Sequence, residues 1–245
     1  MWHGKSITVV FPAYNEEEGI QLAVESFLAI KDSTGNRICD VVLVVDNNSK
    51  DKTASLAKAA GGLVVTETKQ GYGNALMRGI REAQTDLVIL CEPDGTFVAK
   101  DIFKLLAYSE DFPIVCGTRT TRELIWAQAN MGWFLRIGNV VVAKLLQVLY
   151  GTCSLSDCGC TFRLMSREAV TAISPRLHVG KSHFLPNVII AARHAGLSMI
   201  EIPLSYRGRL GESKITGNLS GVFSTGFAMI SLMITSWPSF VMRKK

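Results

Sequence analysis

The sequence predicts an α/β fold built on a mostly parallel sheet flanked by helices. Apolar runs of strand length alternate with stretches of helical periodicity from residue 6 to residue 117. Two of these runs, 41–45 and 87–91, are apolar throughout, as strands covered on both faces must be. Each run also ends in a polar cluster, and the edge where strands end is where an open α/β sheet binds its ligands.

The first strand is residues 6–11, and Pro12 is expected to stop it. In Tyr14-Asn15-Glu16-Glu17-Glu18, Asn15 is placed to cap a helix running to about Ile30, with the acids in its first turn near the positive end of its dipole. The second strand, 40–45, ends at Asp46-Asn47-Asn48-Ser49-Lys50-Asp51, and a helix to Ala60 and a short strand over 63–66 follow. Gly71-Tyr72-Gly73-Asn74 opens a helix carrying Met77, Ile80 and Arg81. The next strand, from Leu87, delivers Glu92-Pro93-Asp94-Gly95. After a helix over 102–108, a strand over 113–117 delivers Thr118-Arg119. The alternation then stops. Residues 125–150 predict one long apolar helix with only Arg136 and Lys144 charged; 156–165 read as a strand with a glycine bulge, 184–194 as a helix and 199–203 as a strand. From 215 to 242 no charge occurs, and Arg243-Lys244-Lys245 closes the chain. That stretch is long enough to cross a bilayer, but its Gly, Ser and Thr content and Pro238 favour a segment lying at the interface.

Composition narrows the function classes. The chain has 245 residues, 48% of them hydrophobic, with a net charge of +5. The basic residues are scattered, so no nucleic acid partner is indicated, and an anionic substrate or a membrane surface accounts for the excess. Of the six cysteines, Cys91 and Cys116 lie in apolar strand-like runs, which argues against a disulfide framework and for a reducing compartment. The N-terminus carries no signal-peptide pattern.

The strand ends supply the chemistry. In extended chain, residues two apart point the same way, and Pro93 biases Glu92 towards that geometry, so Glu92 and Asp94 converge on one point. Two hard oxygen ligands suit Mg2+ or Mn2+, which take carboxylates together with phosphates; a plain surface turn is the simpler alternative. Asp46 stands where a doubly wound sheet sets an acid against a ribose, or else only caps its own turn. Gly71-Tyr72-Gly73 lacks the third glycine and first-strand position of a dinucleotide fingerprint, and no G-x-x-x-x-G-K-[ST] loop occurs.

Taken in order, Phe11-Pro12-Ala13-Tyr14-Asn15-Glu16, Val44-Val45-Asp46-Asn47-Asn48-Ser49, Lys69-Gln70-Gly71-Tyr72-Gly73-Asn74-Ala75 and Glu92-Pro93-Asp94 resemble the serial motifs of inverting family 2 glycosyltransferases. Gly117-Thr118-Arg119, the run Ser156-Asp157-Cys158-Gly159-Cys160-Thr161-Phe162-Arg163 and Gly211-Glu212-Ser213-Lys214 resemble in particular the polyprenyl-phosphate branch, similar to dolichol-phosphate mannose synthases. The resemblance covers residues 7–214 and implies a GT-A nucleotide-binding sandwich over 1–214, with 215–245 as an apolar, membrane-interfacial segment. It further implies that Pro12, Tyr14, Glu16, Asp46, Gly71 and Pro93 surround a nucleotide-sugar donor, that Glu92 and Asp94 hold the metal, and that Arg119, Arg136, Arg209 and Lys214 meet the anionic groups of donor or acceptor. Three positions depart from the family pattern: the D-x-D is Glu92-Pro93-Asp94, the paired acid after the second strand is Asp46-Asn47, and Asn187 stands where an acid is frequent.

The acceptor decides the mechanism. Transfer to an alcohol needs a general base, for which Asp157 is the implied candidate. A polyprenyl phosphate, with a second pKa near 6, is already largely ionised at pH 7 and needs only positioning and charge screening. Structural roles compete with both assignments, Asp157 as a turn residue and Arg136 as a snorkelling surface side chain. The expectation is a metal-dependent glycosyltransferase on the cytoplasmic face of a membrane, peripheral to it and acting on a polyprenyl phosphate or other lipid-linked acceptor. A glycan or other alcohol acceptor, or non-catalytic nucleotide-sugar binding, is the alternative.

Overall fold

The computed structural model describes residues 1–127, 129, 132–210 and 219–243. In chain order its elements are β1 (Ile7–Ala13), α1 (Ile20–Leu28), β2 (Val41–Asp46), α2 (Thr53–Ala59), β3 (Leu63–Thr66), α3 (Tyr72–Glu82), β4 (Leu87–Leu90), α4 (Ile102–Leu106), β5 (Ile114–Thr118), α5 (Trp133–Tyr150), β6 (Arg163–Ser166), α6 (Arg167–Ile173), α7 (Phe184–His194), β7 (Ile200–Pro203) and α8 (Leu219–Arg243). The strands form one sheet in the order β3-β2-β1-β4-β6-β5-β7. Only β6 runs against its neighbours β4 and β5, so six strands share a direction and present their C-terminal ends on one edge.

Alternating strand residues feed two cores. Val10, Leu43, Val45, Val88, Leu90 and Met165 pack with α3, α5, α6 and α7, while Val9, Phe11, Val42, Val44, Ile89 and Leu164 pack with α1 and α4. Burial of each such aliphatic side chain contributes about 1.5–3 kcal/mol, which explains why the strand positions were legible from hydrophobicity alone.

Several local expectations are corrected. β1 continues through Pro12 to Ala13, because the missing N–H would face β4, whose ladder with β1 has already ended at Val10 and Leu90. Asn15 does not cap α1; it sits at φ 51, its side-chain Oδ1 accepts from Lys50 N, and the helix begins at Ile20 with no acid in its first turn. The predicted helix over 125–150 starts only at Trp133. Upstream, the backbone is committed elsewhere: Trp126 N donates to Tyr206 O at 2.9 Å and Tyr206 N to Leu124 O at 2.9 Å. The predicted strand over 156–165 shrinks to β6, since side chains claim the N–H groups of Ser156, Asp157 and Gly159. α6, capped by Ser166 Oγ, which accepts from Ala169 N, has no counterpart among the elements the sequence predicts.

α8 lies along α5 and α7 through buried Leu232, Met233 and Phe240, with Tyr150 Oη donating to Met233 O at 2.7 Å and Trp237 Nε1 to Leu149 O at 3.0 Å. Its exposed side carries Phe223, Phe227, Ile234, Trp237 and Val241, which helical spacing puts on one stripe. By length and composition the stretch Gly221–Met242 is apolar enough to cross a membrane.

Candidate active site

The loops after β1 and β2 are stitched together at the C-terminal edge of the sheet. Asn15 N donates to Ser49 Oγ at 3.0 Å and Glu16 N to Thr53 Oγ1 at 2.8 Å. This holds Tyr14 and Glu16 beside Asp46, which is buried and accepts from Ser49 N. Asn47 ties in the third loop: its Nδ2 donates to Glu67 O (2.7 Å) and Lys69 O (3.0 Å), and its Oδ1 accepts from Gly71 N (2.7 Å). An aspartate could not donate to those carbonyls, so the departure at position 47 has a structural use. Gly71, at φ 142, could carry no side chain, because a Cβ would lie 2.3 Å from Gly180 O.

Glu92 and Asp94 follow β4 directly. Glu92 Oε1 accepts from Thr161 Oγ1 at 2.6 Å and from Tyr72 Oη at 3.2 Å. Burial, and then the nearby charge of Asp94, push its carboxyl up to about 7. Asp94 Oδ1 accepts from Thr96 N and Oγ1 at 3.0 and 2.6 Å. Its Oδ2 is buried and takes no hydrogen bond among the described residues, although Arg209 Nη1 stands 3.0 Å away as an ion pair out of hydrogen-bond alignment. An orphaned buried carboxylate oxygen next to a second acid fits Mg2+ or Mn2+, with phosphate oxygens and water completing the shell. Among the described residues no cluster of three ligating side chains occurs, so the protein alone would supply a two-acid site. Pro93 is crowded from outside, since a Cβ on Gly19 would fall 2.6 Å from its carbonyl oxygen.

The second charge cluster lies after β5. Asp157 accepts four hydrogen bonds: from Arg119 Nε (2.7 Å) and Arg119 N (3.2 Å) on Oδ2, and from Arg119 Nη2 (2.9 Å) and Gly159 N (3.0 Å) on Oδ1. That uses every lone-pair site of the carboxylate. Burial opposes the Arg119 charge, but Asp157 more than offsets this and holds the guanidinium well above its ordinary pKa. Beneath it stands Tyr206, 5.5 Å from the guanidinium carbon and the last ring of an aromatic chain through Phe97, Phe162, Phe27 and Phe11.

The profile of Glycosyl transferase family 2 matches residues 8–173. The chain belongs to glycosyltransferase family 2. An uncharacterized glycosyltransferase of Mycobacterium tuberculosis H37Rv is 33% identical over 221 residues, 89% of this chain and 93% of that protein. The dolichyl-phosphate hexose transferase of Haloferax volcanii is 28% identical over 210 residues, 85% of this chain and 86% of its own. Among solved structures, glucosyl-3-phosphoglycerate synthase of M. tuberculosis, in complex with Mn2+, UDP and glucosyl-3-phosphoglycerate, matches with TM-score 0.74 at 20% identity over 96% of this chain and 81% of that one. The fold is of the GT-A type, as the motif order implied.

In this family 2 glycosyltransferase the sheet edge gathers Pro12, Tyr14, Glu16, Asp46, Gly71, Glu92, Pro93, Asp94, Arg119, Asp157 and Arg209 onto neighbouring strand ends and the loops that join them. Arg136 lies in the first turn of α5 and makes no ion pair among the described residues. Lys214 lies outside the described residues. Sequence reasoning missed Glu201, whose carboxylate accepts from Ser156 N, Ser156 Oγ and Asp157 N at 2.6–2.9 Å and so fixes the loop bearing Asp157. The signal was a lone acid inside an apolar strand. It also passed over Tyr72 and Thr161 as partners of Glu92, and Gly19 as the close neighbour of Pro93.

Proposed function

We propose that the chain is a divalent-metal-dependent, inverting hexosyltransferase that moves a sugar from a nucleoside diphosphate to a polyprenyl phosphate at a membrane surface. The observation that carries the reading is the saturated carboxylate of Asp157. With all four acceptor positions filled, it is poorly placed to take a proton from an alcohol, whereas an already ionised phosphate acceptor requires no base. Arg119, with Nη1 uncommitted to Asp157, is a fixed cation for that phosphate.

In the step itself, the bond from the sugar anomeric carbon to the donor β-phosphate oxygen breaks and a bond to an acceptor phosphate oxygen forms on the opposite face. No proton moves. A metal bound at Glu92 and Asp94 would neutralise charge on the departing diphosphate. Tyr14, Glu16 and Asp46 would hold the nucleoside, and Asn47 fixes the loop against which it lies. The apolar stripe of α8, together with exposed Trp133, Ile137, Val141 and Val148 on α5, supports a peripheral attachment to lipid. The dolichyl-phosphate relative supports the acceptor class, and the presence of UDP and Mn2+ in the solved neighbour makes UDP-sugars the first donors to try.

The test incubates the full chain with Mg2+ or Mn2+, nucleotide sugars and short polyprenyl phosphates, and follows glycolipid formation. Turnover of an alcohol acceptor with indifference to prenyl phosphates would sink the acceptor assignment. Undiminished turnover by Asp94→Ala would sink the metal assignment.

A further inference from the structure

The turn bearing Asp94 is covered by residues 206–210. Arg207 N donates to Thr96 O and Leu210 N to Asp94 O, both at 2.8 Å, and Leu210 packs over Gly95. Between these two backbone bonds sits Arg209. Its Nη2 donates to Glu16 Oε1 at 2.8 Å, and its Nη1 lies 3.0 Å from Asp94 Oδ2. With Asp94 Oδ1 taken by Thr96, Oδ2 is the oxygen left for ligation, and it is the one under the guanidinium. The guanidinium is held there incompletely: Arg209 Nε is buried without an acceptor among the described residues, and the contact to Oδ2 lacks hydrogen-bond alignment. A charge kept by attraction rather than by a full set of hydrogen bonds is displaceable.

We propose that Arg209 is a tethered counter-ion of the metal position, occupying Asp94 Oδ2 in the ligand-free protein and withdrawing when a divalent cation arrives. The cation alone must displace it at a cost. A cation carrying a nucleoside diphosphate offers the withdrawn guanidinium new phosphate oxygens, so metal and nucleotide bind far better together than separately. The inference rests on the metal-dependent reading above.

The experiment titrates Mn2+ into the full chain and follows the free-ion signal by electron paramagnetic resonance, with and without UDP. Without nucleotide, Arg209→Gln is expected to bind Mn2+ about tenfold more tightly than wild type, equivalent to 1.4 kcal/mol. Arg207→Gln removes an equal charge two residues away, where the side chain stacks 4.3 Å from the Trp126 ring, and is expected to leave the affinity within about twofold. UDP should narrow the gap between wild type and Arg209→Gln. Equal affinity of these two, or equal tightening by Arg207→Gln, overturns the inference while leaving the metal reading intact. Absence of Mn2+ binding by every variant, even with UDP, overturns both. Should Arg209→Gln fail to fold, Arg209→Lys serves, because one ammonium cannot span Glu16 and Asp94 as the two guanidinium arms do.

Discussion

Replacing Asp157 by asparagine separates an anchor from a base. As an anchor, Asp157 holds a buried guanidinium: the Arg119 side chain is 13% exposed and that of Asp157 is 0% exposed. Asparagine removes the charge and turns one acceptor into an NH2 group facing N–H donors of Arg119 or Gly159. Removing one partner of a buried pair costs about 3–5 kcal/mol, and the residual exposure of Arg119 argues for the lower end, about 3 kcal/mol. In a chain of this size each kcal/mol moves Tm by about 2–4 °C, so thermal unfolding followed by circular dichroism should fall by about 6–12 °C. The cost should largely vanish when Arg119 is first changed to Met, since the pair is then already broken. A base, by contrast, would be lost without large instability. If Asp157→Asn leaves Tm within about 2 °C while turnover drops a hundredfold or more, the anchor argument fails and an alcohol acceptor returns to the front.

Three further outcomes follow from the same geometry. Because Glu92 is raised from its ordinary 4.5 to about 7, the folded protein keeps a proton that the unfolded chain releases; stability should therefore decline as pH rises from about 4.5 to about 7, by at most about 3 kcal/mol, and Glu92→Gln should flatten the Tm profile measured from pH 4.5 to 8. Gly19→Ala forces a Cβ to within 2.6 Å of Pro93 O, an overpacking cost of about 1–3 kcal/mol that should lower Tm and weaken Mn2+ binding together, whereas an unchanged Mn2+ affinity would detach α1 from the metal site proposed at Asp94. Asn47→Asp removes the donors to Glu67 O and Lys69 O and should cost about 1–3 kcal/mol in urea unfolding, with weaker nucleotide binding by calorimetry; gain of affinity would contradict the structural use assigned to the amide.

What could be read from the sequence was what local pattern encodes. Apolar runs fixed where β1 to β5 lie, and the polar residues just past them had to fall on one edge once the strands ran parallel. That Glu92 and Asp94 fall just past β4 was legible from the apolar run before them. The failures share a different cause: the deciding partner is remote. Residues 156–162 have the alternation of a strand, yet Glu201 and Asp157 take the amides that a ladder would use. Trp126 looks helical until Tyr206 claims its N–H. Asn15 has the chemistry of a helix cap, but Ser49 and Lys50 engage it from the neighbouring strand end. Arg209 pairs with Glu16 across 193 positions of chain, a relation no window of sequence contains.

The two arginines at the sheet edge are held in opposite ways. Arg119 is bound through Nε, Nη2 and its backbone N–H to one carboxylate, which is itself seated by Gly159 and by the loop that Glu201 fixes. Its position is set before any ligand arrives, which is what electrostatic stabilisation of the proposed phosphate acceptor would demand, since a donor that must first reorganise loses part of its effect. Arg209 divides itself between two acids on different loops and, among the described residues, leaves Nε unsatisfied. In the exchange proposed above, a group so held would change partners as the diphosphate and its metal enter and leave. In the proposed transfer between two phosphates, negative charge stands at both ends of the reacting line, and a rigid cation at one end with an exchangeable one at the other would answer that charge without trapping the spent nucleotide.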